Sequence, residues 1–302
     1  MYPALPRTGA RMASENNRTQ ALFDKLRRIT RPASSAKPDS VHQLRTTVRR
    51  VETMLAATSQ APGRKERKLL KALARLRRRA GKVRDLDVQI EALGSLRLES
   101  IARDRAAVMA FLEKARARRE KKLLAALEDE AEDGLQKRLH SISIRLQSGA
   151  PKPAPGAEKR FVSAALDKFA AMVKQRGALS EANLHNFRMD CKRVRYLAEM
   201  AGETPEVAAV TALLKRIQDA IGVWHDWLTL TATAEVVLSG SGQVPLLSAL
   251  RANVRSRYLE ALRITADAKK ELLAKQEAEQ AHQPIPAAPA VPAMPAVRAA
   301  TA

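Results

Sequence analysis

Two short segments of similar sequence decide how this 302-residue chain is interpreted. They are VHQLRTTVRR at residues 41–50 and LHNFRMDCKR at residues 184–193. In each segment a histidine is followed by basic residues at the same spacing, so that His42, Arg45, Arg49 and Arg50 correspond to His185, Arg188, Lys192 and Arg193. Two copies of one spacing in a single chain indicate an internal repeat.

A second pair of segments follows the first pair in the same order. Residues 77–87 read RRRAGKVRDLD, and residues 218–228 read QDAIGVWHDWL. Gly81, Arg84 and Asp85 in the first segment correspond to Gly222, His225 and Asp226 in the second. A basic helix followed by a glycine-to-aspartate corner, present twice, predicts duplicated helical bundles.

Both basic segments have the periodicity of amphipathic helices. At about 100° per residue, Leu44, Val48, Val51 and Leu55 fall in one sector of a helix, opposite His42, Arg45 and Arg49. Likewise, Phe187, Cys191, Val194 and Ala198 lie opposite His185, Arg188, Lys192 and Arg195. Like charges one turn apart destabilise a helix. Faces of a single sign therefore favour an anionic ligand, with an ordinary solvated face as the alternative.

A longer basic stripe is predicted over residues 68–82, in the first half of the chain. It consists of Lys68, Lys71, Arg75, Arg78 and Lys82, whose spacing places all five on one face of a helix. A row of cations on a rigid rod matches a row of phosphates, because Arg and Lys are the side chains that bind phosphate oxygens. In the second half only Arg216 remains of the equivalent stripe. A merely solvated basic face is again the alternative.

The composition is dominated by positive charge. The chain has 54 Lys and Arg against 32 Asp and Glu, a formal net charge of +22, and 45% hydrophobic residues. A single cysteine excludes an intramolecular disulfide. No apolar run suits a signal peptide or reaches the roughly 18 residues of a transmembrane helix, so we expect a cytoplasmic protein without membrane contact. The charge predicts a polyanionic partner.

The low aromatic content bears on which polyanion this is. Aromatic residues make up only 3% of the chain, whereas proteins that hold single-stranded nucleic acid usually add aromatic stacking platforms. A partner with phosphates but no bases therefore fits at least as well as DNA. Sequence-neutral nucleic-acid binding stays open, because such proteins also rely on charge.

The repeated histidines and aspartates admit other interpretations. His42, His185 and His225 would need to converge with Asp85 or Asp226 to bind a metal, and they lack the one-turn histidine pairing of a helical zinc site. Phosphate hydrogen bonding is the favoured role of the histidines. The aspartates are expected to cap helices or to pair with a nearby arginine. No Walker loop, nucleophile elbow or catalytic carboxylate pair is present, so we expect no catalytic residue, metal or cofactor.

Strong helix formers dominate, and the prediction is an all-α chain of long antiparallel helices. Helices are predicted at about 15–30, 41–57, 64–80, 83–95, 97–128, 131–147, 158–176, 181–201, 205–221, 223–239 and 244–275. The prolines and glycines of SGAPKPAPG break the pattern between the halves. The domain organisation is a flexible arm at 1–14, one domain at 15–275 with halves 15–147 and 158–275 joined by a linker at 148–157, and a disordered tail at 276–302.

The doubled pattern VHQLRTTVRR…GKVRDLD and LHNFRMDCKRVRYLAE…IQDAIGVWHD resembles the CHAD family, the conserved histidine α-helical domain. The resemblance covers residues 20–275. It implies two four-helix bundles related by pseudo-twofold symmetry, inorganic polyphosphate bound in a basic groove, and association with polyphosphate granules in bacteria. The repeated basic residues, with Arg84 and His225, would face the ligand. The Glu-x-Glu-x-Lys strand of the triphosphate-tunnel domain that accompanies many relatives does not occur here.

From these residues we expect a non-enzymatic, stand-alone polyphosphate-binding protein. Two alternatives belong to other classes. One is a sequence-neutral nucleic-acid-binding protein, which the charge permits. The other is a phosphohydrolase or kinase acting on polyphosphate, for which the sequence offers no acidic metal cluster.

Overall fold

The computed structural model describes residues 8–31, 36–58, 62–96, 101–149, 157–199, 201–202, 204–239 and 244–281. Within these ranges the chain is all helical and contains no strand, as the sequence predicts. The helices are α1 (Thr8–Ile29), α2 (Pro38–Thr58), α3 (Arg64–Ser95), α4 (Ala102–Glu132), α5 (Leu135–Gly149), α6 (Ala157–Arg176), α7 (Glu181–Glu199), α8 (Pro205–Val237) and α9 (Pro245–Ala281). None of the helices described here has an apolar stretch long enough to cross a bilayer.

The predicted corners at Gly81 and Gly222 are wrong, because α3 and α8 run straight through these glycines. A single glycine inside a helix costs only about 1 kcal/mol relative to alanine. Burial of Leu76 and Val83 on either side of Gly81, and of Ile217 and Ile221 before Gly222, offsets that cost. Each of the two helices is therefore one rod of about 48 Å, at 1.5 Å per residue.

The ends of the helical region also differ from the predicted boundaries. Helix α1 begins at Thr8, within the segment expected to be an arm, and α9 continues to Ala281, beyond the expected end at 275. Both extensions are rich in Ala and in Arg, Lys, Glu or Gln, which favour helix. Helix α5 ends at Gly149 and α6 begins at Ala157, so most of the predicted linker, and the tail from 282, lie outside the described residues.

The first bundle consists of α1, α2, the N-terminal part of α3, the C-terminal part of α4, and α5. Its core contains Phe23, Val48, Leu73, Leu127 and Leu139, one from each helix, all buried. Helices α4 and α5 are separate because the chain turns at Gly134, whose φ of 78° lies in the left-handed region that glycine adopts readily.

The second bundle consists of α6, α7, the N-terminal part of α8 and the C-terminal part of α9. Phe169 and Phe187 meet edge to face in its core, with ring centroids 6.4 Å apart. Leu214 and Leu272 complete the packing from α8 and α9. The long α9 packs against both α8 and α6, as α4 and α5 together pack against α3 and α1. The pseudo-twofold relation between the halves stays a prediction.

A third apolar cluster, which we call the joint, connects the two bundles. It is formed by the C-terminal parts of α3 and α8 with the N-terminal parts of α4 and α9, through Leu93, Leu112, Leu230 and Leu250 among others. Beside it, the Thr233 hydroxyl on α8 donates a hydrogen bond to the Gln89 side-chain oxygen on α3, at 3.0 Å. The joint fixes α3 against α8 and so sets the relative placement of the bundles.

The joint is expected to contribute strongly to stability. Leu93→Ala leaves a cavity at a fully buried position and should lower the free energy of unfolding by about 2–5 kcal/mol in urea denaturation. Leu259→Ala on α9, where the side chain is 56% exposed, is the matched control and should change it by less than about 0.5 kcal/mol. Equal effects of the two substitutions would contradict the buried joint.

Candidate functional site

The basic faces of α2 and α7 meet between the two bundles. Their proximity follows from the electrostatic environment of Lys192 on α7. Its pKa is lowered to about 7, first by burial and then by the positive charges of Arg49, Arg45, Arg188 and Arg195. Two of these cations belong to the first bundle and two to the second. The repeated motifs, which are far apart in sequence, therefore form one cluster of positive charge.

Each glycine of the repeat lies under an arginine of the neighbouring helix. A Cβ on Gly81 would be 3.0 Å from Nη1 of Arg45, and a Cβ on Gly222 would be 3.2 Å from Nη2 of Arg188. Nε of Arg188 also donates a hydrogen bond to the Gln218 carbonyl oxygen at 3.0 Å. The glycines thus provide the room in which the guanidinium groups approach α3 and α8 closely. The basic segment and the glycine segment of each repeat, which are separate in the sequence, therefore contact each other in the structure.

Two histidines border the cluster on the side of the second bundle. The rings of His185 on α7 and His225 on α8 lie with centroids 4.6 Å apart. Burial lowers the pKa of His225, as do His185 and Arg188, while Asp85 raises it. Nδ1 of His185 is buried and has no hydrogen-bond partner among the described residues. A ring nitrogen that carries hydrogen in either residue is a possible hydrogen-bond donor.

Two carboxyl groups, one from each half, lie beside these cations. The pKa of Asp226 is raised to about 6, mainly by burial and also by Asp85, against the lowering effect of Arg188, Arg84 and Arg45. Burial also raises the pKa of Asp85, while Arg45, His225 and Arg188 lower it. Because α3 and α8 are continuous at these residues, the aspartates cap no helix. Arg45, Arg84 and Arg188 act on both carboxyl groups electrostatically, and direct pairing with an arginine, the other expected role, stays a prediction.

We call the following side chains the twin-motif cluster: Arg45, Arg49, Arg84, His185, Arg188, Lys192, Arg195 and His225. Nearby carboxylates are fewer. Glu199 lies 3.5 Å from Arg195 and feels the charge of Arg50. Glu91 lies 4.0 Å from Arg84, Glu52 feels the charge of Arg49, and the two aspartates add partial negative charge. The cluster therefore carries an excess of positive charge in a partly desolvated place, where electrostatic interactions are stronger than in water.

Other predicted ligand residues lie outside this cluster, and four of them are paired with carboxylates. Lys68 contacts Asp133 at 2.9 Å and Arg75 contacts Asp129 at 2.5 Å, both across to the end of α4. In the second bundle, Arg193 contacts Asp190 at 3.1 Å and Arg216 contacts Glu271 at 3.2 Å. His42, Arg50, Lys71, Arg78 and Lys82 are exposed on α2 and α3. The predicted stripe along α3 thus contains both paired and exposed cations.

Some members of the site were not singled out from the sequence. Tyr196 lies beneath the cations of α7, with its ring centroid 5.3 Å from the Arg195 guanidinium and 5.9 Å from the Lys192 ammonium. Its place in KRVRYLAE, four residues after Lys192, was the available signal, because such residues are neighbours on a helix. The Gln218 carbonyl left no signal in the sequence. Among the described residues, no group of His, Cys, Asp or Glu is arranged to hold a metal ion.

Comparisons with known proteins agree with this architecture. A family model, CHAD domain, matches residues 18–235. Among solved structures, the chain is similar to the crystal structure of the CHAD domain from the plant Ricinus communis, with a TM-score of 0.60 and 16% sequence identity over 90% of this chain and 92% of that chain. At this identity the likeness shows the fold alone. None of the curated proteins compared with the chain matches it.

The lowered pKa of Lys192 predicts a pH dependence of stability. The ordinary lysine pKa is 10.5 and the folded value is about 7, so between these pH values the unfolded chain binds a proton that the folded chain has released. The free energy of unfolding should therefore rise from pH 7 towards 10.5 through this group. In urea denaturation at pH 6.5 and 9.5, Lys192→Met should show a smaller rise than the wild type. Lys168→Met, at an exposed position on α6, should retain the full rise; a full rise in Lys192→Met would refute the assignment.

Proposed function

Because this chain belongs to the CHAD domain family, which is associated with polyphosphate binding, we propose that the twin-motif cluster binds inorganic polyphosphate. The observation that carries the proposal is the meeting of Arg45 and Arg49 with Arg188 and Lys192 between the two bundles. Cations held this close repel one another, and a bound anion relieves that repulsion. Rigid helices hold the cations in place before binding, which reduces the entropy lost when the ligand is bound.

The chemistry of the cluster suits phosphoryl oxygens. Arginine guanidinium groups bind such oxygens with two parallel hydrogen bonds, and lysine adds a compact charge. A polyphosphate chain presents a phosphate at every unit, so it can contact both halves of the cluster at once. Release of condensed counterions would add to the affinity and make it strongly dependent on salt.

The rings near the cluster favour a ligand without bases. Trp224 is buried and makes ring contacts with His225 and Tyr258. Tyr196 is half-buried and has cations close to its ring. The buried Trp224 therefore offers no exposed face on which a nucleic-acid base could stack, and Tyr196 already has cations beside its ring. We therefore place nucleic acid second to polyphosphate as a partner.

The proposal extends to the role of the protein in the cell. We propose a binding protein without catalytic activity of its own, located in the cytoplasm on polyphosphate granules. The ligand-facing set follows the twin-motif cluster, with the exposed His42, Arg50, Lys71, Arg78 and Lys82 as further contacts for a longer chain.

Removal of four cluster cations tests the proposal. The combined variant Arg45→Ala, Arg49→Ala, Arg188→Ala and Lys192→Ala should keep its helical circular-dichroism signal and lose at least about 100-fold in affinity for long-chain polyphosphate. The slope of log affinity against log salt should fall by about 3. The matched control removes four exposed cations elsewhere, Arg28, Arg103, Arg255 and Lys270, and should lose less than about tenfold.

Two results would contradict this function. One is equal loss of affinity in the cluster variant and the control, which would mean that only net charge matters. The other is equal competition by duplex DNA, phosphate for phosphate, at physiological salt, which would leave polyphosphate without preference.

Binding should also take up a proton near neutral pH. A bound anion raises the pKa of Lys192 above its free value of about 7, so the affinity should fall as the pH rises from 7 to 9. Titration calorimetry in buffers of different ionisation enthalpy measures the uptake directly. Lys192→Arg keeps the positive charge at all these pH values and should reduce both the uptake and the pH dependence. An unchanged proton uptake in this variant would exclude Lys192 as the group that titrates.

A further inference from the structure

One arginine outside the twin-motif cluster joins three parts of the first bundle. Arg116 lies on α4, and its side chain is only 18% exposed. Its Nε donates a hydrogen bond to Oδ1 of Asp87 on α3 at 2.6 Å, and Nη1 donates to Oε2 of Glu120 on α4 at 2.6 Å. Nη2 donates to the backbone oxygen of Ala36 at 2.7 Å, two residues before α2 begins. We call Arg116, Asp87, Glu120 and the Ala36 carbonyl the α2 clamp.

The three nitrogens of the Arg116 guanidinium group are each bonded to a different residue. Burial lowers the pKa of Arg116, but the hydrogen bonds and charges of Asp87 and Glu120 raise it above its usual value, so the group stays charged. A planar guanidinium holds several acceptors in a fixed geometry, whereas a lysine ammonium acts as a compact charge. The α2 clamp therefore fixes Ala36, which is itself buried, relative to both α3 and α4.

Stability alone does not account for the α2 clamp. The Asp87 side chain is 3% exposed, and its Oδ2 is buried without a hydrogen-bond partner among the described residues. Replacing a buried ion pair with apolar residues is often neutral or stabilising, because taking charges out of water is costly. In the aligned segment of the second half, Leu228 occupies the position that corresponds to Asp87. The buried ion pair of the first half thus points to a role in positioning.

The α2 clamp lies close to the part of α2 and α3 that builds the twin-motif cluster. Arg45 follows Ala36 by nine residues, and Asp87 follows Gly81 by six, which is about 9 Å along α3. The contact between α2 and α3 leaves little room there, because a Cβ on Gly81 would be 3.0 Å from Nη1 of Arg45. A small shift of α2 along α3 would therefore displace Arg45.

The start of α7, the corresponding helix of the second half, is held in a different way. The Asn183 side chain accepts a hydrogen bond from the Ser180 N–H at 2.9 Å and donates one to the Ala178 carbonyl oxygen at 2.9 Å. These bonds join neighbours in the sequence, so they fix the start of α7 locally. The start of α2, by contrast, is fixed by a residue 80 positions away.

We propose that Arg116 is a positioning residue for polyphosphate binding, because the α2 clamp fixes the start of α2 and thereby the half of the twin-motif cluster that the first bundle supplies. The inference rests on the function proposed above for that cluster. Arg116 does not contact the ligand in this account, since its three nitrogens are already bonded. Its effect is transmitted through α2, which carries Arg45 and Arg49.

The double variant Arg116→Met, Asp87→Leu removes the α2 clamp without leaving the buried carboxylate unpaired. It should keep the helical circular-dichroism signal and the urea midpoint of the wild type, yet bind long-chain polyphosphate about tenfold more weakly, as supporting contacts do at ion sites. The matched control, Arg138→Met with Glu130→Leu, removes a buried ion pair between α5 and α4 in the same bundle. It should bind polyphosphate like the wild type.

A second measurement needs no ligand. Nuclear magnetic resonance titration of the lysine side chains gives the pKa of Lys192, and the spectrum of Lys192→Met identifies its signal. If α2 is no longer held in place, Arg45 and Arg49 act less strongly on Lys192. Its pKa should then rise from about 7 towards the ordinary lysine value in the double variant, and stay unchanged in the control.

Arg116→Lys separates geometry from charge. The ammonium keeps a positive charge beside Asp87 but lacks the fork that reaches Asp87, Glu120 and Ala36 together. We expect this variant to fold and to show weaker polyphosphate binding and a raised Lys192 pKa, both to a smaller extent than the double variant.

An unchanged Lys192 pKa, or an unchanged polyphosphate affinity, in both Arg116 variants would overturn the positioning role. Equal effects of the double variant and the Arg138 control would overturn it as well. Absence of polyphosphate binding to the wild-type protein would instead overturn the proposed function, and the Lys192 pKa would still show whether the α2 clamp holds α2 in place.

Discussion

The constraint that shapes this structure is that cations from two different bundles are held close together despite their mutual repulsion. Arg45 and Arg49 from α2 and Arg188 and Lys192 from α7 share one partly buried place, where burial and then the neighbouring positive charges lower the pKa of Lys192 to about 7. Such an arrangement opposes folding, and the surrounding packing offsets it. The three apolar clusters supply that packing. The protein thus tolerates a local instability at the place where we propose that an anion binds, as is common at functional sites.

Much of the fold could be predicted from the sequence, because local patterns determine it. Apolar residues at helical spacing on α2 and α7 are the buried ones: Val48 and Phe187 lie in the two cores as their periodicity predicts. The continuity of α3 and α8 could not be predicted, since glycine normally weakens a helix. The reason for a glycine inside α3 is a contact between helices, because Arg45 on α2 occupies the space beside Gly81. No local signal in the sequence reports such a contact.

The candidate site, too, could be predicted only in the part that local sequence patterns determine. The basic residues of each repeat were found from spacing alone, but their convergence depends on how the bundles meet. The stripe on α3 shows the limit most clearly. Lys68 and Arg75 lie on one face as predicted, yet they pair with Asp133 and Asp129 from the end of α4. Sequence periodicity assigns a residue to a face; the partners of that face come from elements distant in the chain.

The joint acts at a distance on what can enter between the bundles. Helices α3 and α8 extend from the joint to the twin-motif cluster as continuous rods, and α2 and α7 pack on them. The side-chain volumes around Leu93 and Leu230 set the distance between α3 and α8 at the joint. We therefore expect them to influence the separation of the basic faces on α2 and α7. Substitutions that repack this apolar joint are accordingly expected to change the width of the ligand that the twin-motif cluster accepts, although the joint lies outside the proposed site.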